Sequence, residues 1–140
     1  MIDVSELLGK VIIKIERDNG NDSEVISFYL SNGAIYQQYH TQDCCESVCI
    51  EDIDGDFNDL IGYPLLQAEE STQDDPNASE SATWTFYRFA TIKGYVTIRW
   101  YGESNGFYSE SVEIHKVKDE YPIKEQRKKK IDKINGNKWK

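Results

Sequence analysis

Apolar and polar residues alternate with a period of two along much of this 140-residue chain. That alternation predicts β-strands with one face buried. In residues 10–16, Val11, Ile13 and Ile15 alternate with Lys10, Lys14 and Glu16. A second strand is predicted over 24–30, and Asn32-Gly33 is a strong hairpin-turn signal. Residues 34–40 form the return strand, so 10–40 reads as a three-stranded antiparallel meander. Further strands are predicted over 47–53, over 65–71 as a strand or extended edge, over 83–92 and 95–101 about Lys93-Gly94, and over 108–117, paired with the strand before it through a hairpin turn at Ser104-Asn105-Gly106. In the 83–92 strand, Trp84, Phe86, Arg88 and Ala90 share one face, and Thr85, Tyr87, Phe89 and Thr91 share the other. Residues 5–9 and 57–61 read as short helical turns, each ending near glycine, and the polar run 72–81 reads as a loop. The expected fold is mainly β with a minor α component: an antiparallel sheet of long hairpins with one or two short helices.

Charge divides the chain differently. Residues 1–120 carry 8 basic and 23 acidic side chains, and residues 121–140 carry 8 and 2. A single acidic β-rich domain over 1–120 is therefore followed by a basic tail or weak helix over 121–140. Seventy consecutive residues, 18–87, contain no Lys or Arg but 15 Asp and Glu. Such a body repels nucleic acid and anionic membranes and attracts basic surfaces. No apolar run reaches the roughly 18–20 residues that span a bilayer, and no secretory signal opens the chain. A cytoplasmic protein with reduced cysteines is expected, without a disulfide framework.

Candidate chemistry concentrates in the acidic stretch. His40, Cys44, Cys45 and Cys49 lie within ten residues, and thiolate and imidazole are the ligands tetrahedral zinc favours. A structural zinc ion is expected there, with Asp43, Glu46, Glu51 or His115 as replacement ligands. The alternatives are ordinary buried cysteines or a redox or catalytic Cys with His40 as base. Asp52-Ile-Asp54-Gly-Asp56 has the look of a calcium loop, but an EF-hand would need Gly at position 57 and Glu at 63, where Phe57 and Tyr63 stand. No phosphate-binding glycine loop, nucleophile elbow or zinc-protease motif occurs. Trp84, Phe86, Tyr87, Phe89, Tyr95, Trp100 and Tyr101, with Arg88 and Arg99, could stack a nucleotide or simply be the two faces of a half-buried hairpin.

The segment HTQDCCESVCIE at 40–51 carries a resemblance, together with IDGDFNDLIGYPLLQAEE after it and TWTFYRFATIKGYVTIRWYGESNGFYSESV later. The chain resembles a family of small proteins of uncharacterised function found in bacteriophages and prophages of Gram-positive bacteria. It is also similar in size, charge and context to type II anti-CRISPR proteins, some of which carry zinc. What this implies is a phage-encoded inhibitor of host defence rather than an enzyme. Its acidic face would bind a basic, nucleic-acid-handling surface of a type II CRISPR effector nuclease and block DNA loading. The expected partner-binding residues are Asp52, Asp54, Asp56 and Asp59, with Glu69 and Glu70. The alternatives are a sponge for a defence signalling nucleotide, or an ordinary phage accessory protein.

Overall fold

The computed structural model describes residues 1–19 and 24–122. It shows two four-stranded antiparallel sheets packed face to face. Sheet 1 has the strand order β1 (Ile12–Asn19), β2 (Glu24–Leu30), β3 (Ile35–Tyr39), β8 (Glu113–Lys118). Sheet 2 has the order β4 (Ser47–Gly55), β7 (Gly94–Ser104), β6 (Ser81–Thr91), β5 (Gln67–Asp74). Strands β5, β6 and β7 run as a meander. A connection holding the 3-10 turn Phe57–Leu60 carries the chain from β4, on one edge, to β5 on the other. That order is a Greek key. Mainly-β antiparallel architecture, long hairpins and short helical turns all match expectation, the first turn being Val4–Leu7.

Alternation determines which residues enter the core. Tyr87 and Phe89 of β6 and Val96, Ile98 and Trp100 of β7 are fully buried, as are Ile26 and Phe28 of β2 and Tyr36 of β3. Phe28 and Phe89 meet across the interior with ring centroids 5.4 Å apart. The buried Trp100 Nε1 donates to Gln38 Oε1 at 2.6 Å, so one polar bond ties β7 of sheet 2 to β3 of sheet 1. An indole N–H taken out of water needs that acceptor.

Two expectations differ from the structure. Residues 72–74, expected in a loop, extend β5, where Thr72, Gln73 and Asp74 pair with Thr85, Trp84 and Thr83. Backbone pairing with the long β6 supplies the order that an apolar face would otherwise give, so this edge strand can be almost wholly polar. The segment after Ser104 does not fold back as a hairpin. It crosses to the other sheet, and β8 pairs with β3 through Gln37↔His115 and Gln38↔Ile114. Val112 and Ile114 are buried in the core, and Glu110 accepts hydrogen bonds from Thr83 and Ser104. These contacts reward the crossing. The basic tail lies, from residue 123 on, outside the described residues.

Trp100→Phe keeps most of the apolar volume but leaves Gln38 Oε1 buried without its donor. A loss of about 2–3 kcal/mol in chemical unfolding is expected. A change below about 0.5 kcal/mol would show that the bond between the sheets adds nothing.

Candidate interaction face

The chain leaves sheet 1 at Tyr39 and enters sheet 2 at Ser47, and the sequence-predicted metal residues occupy this crossing. His40 and Glu46 are buried. His40 Nδ1 donates to the Ser111 carbonyl at 2.6 Å, and Nε2 donates to Glu46 Oε2 at 2.7 Å. Glu46 also accepts from the Asp43 and Cys44 backbone N–H groups, each at 2.9 Å. The Cys44 N–H is the strongest influence holding its carboxyl down at about 2, and it outweighs the opposing effect of burial. The Asp43 N–H and His40 add to it.

The cysteines are placed apart in role. Cys44 and Cys45 are bonded to each other, where reduced thiols were expected, and Cys49 is free and exposed on β4. Adjacent residues bring the two sulfurs together without any long-range framework. His115 stacks on Tyr39 in sheet 1 with ring centroids 5.1 Å apart. Among the described residues, no group of three or more His, Cys, Asp or Glu side chains is positioned to hold a metal ion. As placed, both His40 ring nitrogens are engaged, with the Ser111 carbonyl and Glu46, and the Cys44 and Cys45 sulfurs are bonded to each other.

The predicted partner-binding acids divide between opposite edges of sheet 2. Asp52 and Asp54 lie on β4, with Asp56 and Asp59 on the 3-10 turn after it. Glu69 and Glu70 lie on β5. Three strand spacings, about 14 Å, separate the two edges. Asp56 Oδ1 accepts the Asn58 N–H at 2.9 Å and caps the turn. Glu70 is turned toward Tyr87, whose hydroxyl donates to it at 3.0 Å, and burial pushes its carboxyl up. Glu69 pairs in register with Arg88, on the opposite face from Glu70.

The outward face between these edges is aromatic and arginine-bearing. Trp84, Phe86 and Arg88 come from β6, and Tyr95, Arg99 and Tyr101 from β7. Trp84 and Tyr101 are cross-strand partners with ring centroids 5.4 Å apart. The Arg88 guanidinium lies 5.0 Å from the Phe86 ring centroid and donates to Ser71 Oγ at 2.8 Å. Glu51 accepts from Arg99 Nε at 2.7 Å and from Trp84 Nε1 at 3.2 Å, joining the β4 edge to the aromatic centre. Tyr101 donates to Asp75 at 2.6 Å beyond the other edge. Sequence reasoning noted the acids and the aromatics separately. That they form one surface follows from the Greek-key order, which no local pattern encodes. Alternation alone did give the shared face of Trp84, Phe86 and Arg88.

A family model described as a domain of unknown function, DUF7448, matches residues 5–114. The chain belongs to the DUF7448 family. The DUF7448 match runs from the first 3-10 turn to the start of β8, so it includes both acidic edges and the aromatic face, and the basic tail lies beyond it. No match was found among the curated proteins or among the solved structures. No helix among the described residues of this DUF7448 chain is long and apolar enough to cross a membrane.

Glu46 gives a pH-dependent prediction. Its folded carboxyl sits at about 2 against an ordinary 4.5. Its stabilisation is therefore complete above about pH 4.5 and is lost as pH falls toward about 2. Glu46→Gln should melt at a lower temperature than the parent chain at pH 7, and the gap should close across that acid window. A gap that stays constant from pH 7 to pH 2 would show that ionisation of Glu46 is not what holds the crossing.

Proposed function

We propose that this chain is a binding protein that presents the outer face of sheet 2 to a basic protein surface. What carries this proposal is an aromatic and arginine-bearing centre flanked by Asp52 and Asp54 of the β4 edge on one side and by Glu69 of β5 on the other. Trp, Tyr and Arg dominate the energetic centres of protein interfaces, and charge at the rim sets partner choice and association rate. The resemblance to type II anti-CRISPR proteins supports a phage-encoded inhibitor working in the bacterial cytoplasm, with a type II CRISPR effector nuclease as partner. Such effectors hold their heteroduplex in a positively charged channel. Asp52, Asp54, Asp56 and Asp59 on one edge and Glu69 on the other compete there for lysines and arginines that otherwise meet phosphate. DNA loading is blocked without any bond being made or broken.

A nucleotide sponge finds less support. Arg88 and Arg99 lie on an open face, and a phosphate approaching Arg99 must displace Glu51. No enclosed cavity is needed to account for the aromatics, because Tyr87, Phe89 and Trp100 form part of the core and Trp84, Phe86, Tyr95 and Tyr101 form the outer face.

The test is target-DNA cleavage by purified type II effectors, with this protein added before or after DNA. Inhibition is expected only when it is added first, weakening steeply as salt rises. The combined change Asp52→Lys, Asp54→Lys and Asp56→Asn, which keeps the cap on the turn, should raise the Kd at least tenfold with the fold intact. Trp84→Ala should do the same at the centre of the face. Unchanged binding by both variants, or no inhibition across several effectors, would overturn the proposal.

Metal content is read separately, by elemental analysis of protein purified reduced and without chelators. About one zinc per chain, lost in His40→Ala with Cys49→Ser, would show that zinc displaces the bonds around His40 and Cys44. Absence of zinc would leave the crossing held by Glu46 alone.

A further inference from the structure

The end of the sandwich away from the Glu46 crossing exposes large apolar side chains that the fold does not use. Three segments meet there: residues 8–12, 61–66 and 91–93. Backbone bonds hold them together. Gly9 N–H donates to Leu65 O, Leu65 N–H to Lys10 O, Gly62 N–H to Ile12 O and Leu66 N–H to Ala90 O, all at 2.8–2.9 Å. The Thr91 hydroxyl binds the Asp59 carbonyl and fixes the 3-10 turn beside the β6–β7 turn. On this rigid frame Leu8 is 48% exposed, Tyr63 43%, Leu66 66% and Ile92 77%. Four of the chain's exposed large apolar residues thus gather on one end, a grouping that marks an association surface.

Charge decides what covers it. Residues 1–120 carry a net charge of -15 from 8 basic and 23 acidic side chains, so two copies repel each other over most of their surface. This end is different, because it carries both signs. Lys93 Nζ stands 5.6 Å from the Tyr63 ring centroid. Lys10 lies in the segment bonded to Leu65. The Asp59 carboxylate borders Gly94, next to Lys93, and Asp56 caps the same 3-10 turn. A two-fold interface sets each patch against an identical patch, so a residue i that meets j is matched by j meeting i. A surface with apolar residues at its centre and both Lys and Asp at its margin is complementary to itself. An acidic edge set against its own copy is not.

From this we infer that the chain forms a symmetric homodimer through the 61–66 and 91–93 end. Leu66 and Ile92 lie at the centre of the contact, and Lys93 of each protomer lies near the Asp59 and Asp56 carboxylates of the other. The dimer does not depend on the effector-binding proposal: it shares Asp56 and Asp59 with the acidic β4 edge, but Leu66, Ile92 and Lys93 belong to the dimer contact alone and Trp84, Asp52 and Asp54 to the effector face alone.

Sedimentation velocity and light scattering on the full chain test this. A dimer is expected at tens of micromolar and physiological salt. Leu66→Glu with Ile92→Glu removes apolar contacts and adds like charges at two exposed positions, so the variant should fold as the parent does but raise the dimer Kd at least tenfold. Lys93→Glu alone, which leaves the apolar residues in place, should weaken the dimer in the same direction. A parent chain that is monomeric at several hundred micromolar would overturn the inference and leave the patch to a foreign partner. A dimer of unchanged affinity in the Leu66 and Ile92 variant would overturn it as well.

Discussion

The chain passes from one sheet to the other between Tyr39 and Ser47, and a single carboxylate holds that passage. Glu46 is buried, which is costly for an ion unless every lone pair finds a donor. Here the donors are supplied locally, by two backbone N–H groups and His40. His40 in turn reaches the Ser111 carbonyl, on the segment where the chain returns to sheet 1. One ion-centred network thus joins the outgoing and returning crossings. It fixes where β4 begins, and hence its register against β7, with Val48 opposite Gly102 and Ile50 opposite Trp100. A one-residue slip would exchange the two faces. Glu51 would then leave Arg99, and the outer face of sheet 2 would lose its link to the acidic edge.

Acidic edge strands have an explanation that requires no partner. An unpaired edge is a template for aggregation, and charged side chains blunt it. The acids of β4 and β5 meet that need and would do so in any soluble sandwich. What exceeds it is the face they enclose. Outward positions of an antiparallel sheet are ordinarily polar, yet here they hold Trp84, Phe86, Tyr95 and Tyr101 on two adjacent central strands. The guanidiniums among them are already satisfied by Glu51, Ser71 and the Phe86 ring. That arrangement keeps the side chains in place before any partner arrives and lowers the entropy lost on binding.

Local pattern made the meander of β1–β3 and the β6–β7 hairpin legible, because alternation and an Asn-Gly or Lys-Gly turn act over a few residues. It failed where the energy is non-local. Strand β5 is polar along Ser71–Asp74 and owes its existence to β6 beside it. Strand β8 was expected to pair with its neighbour in sequence and instead pairs with β3. The His40 and Cys cluster was visible as a concentration of soft ligands, but the acceptor that occupies His40 Nδ1 is 71 residues away. Glu46, named only as a spare ligand, proves to be the centre of the site. The signal available was its position, a carboxylate two residues after Cys44 in a tight turn, where it can accept local N–H groups.

Charge is segregated on this molecule in a way that separates two kinds of contact. Over the outer face of sheet 2 one sign dominates the rim, which favours a partner of the other sign and excludes a second copy. At the 61–66 and 91–93 end both signs lie close to exposed apolar residues, which admits a second copy. Two protomers joined at that end engage Asp56 and Asp59 but leave Asp52, Asp54 and the Trp84 and Tyr101 face outside the contact. They present two identical faces at a fixed separation set by the rigid sandwich. A partner with one basic surface gains a local concentration effect from such a pair, and a partner with two gains avidity without any new contact. Net repulsion between acidic bodies confines self-association to the end where both signs of charge meet.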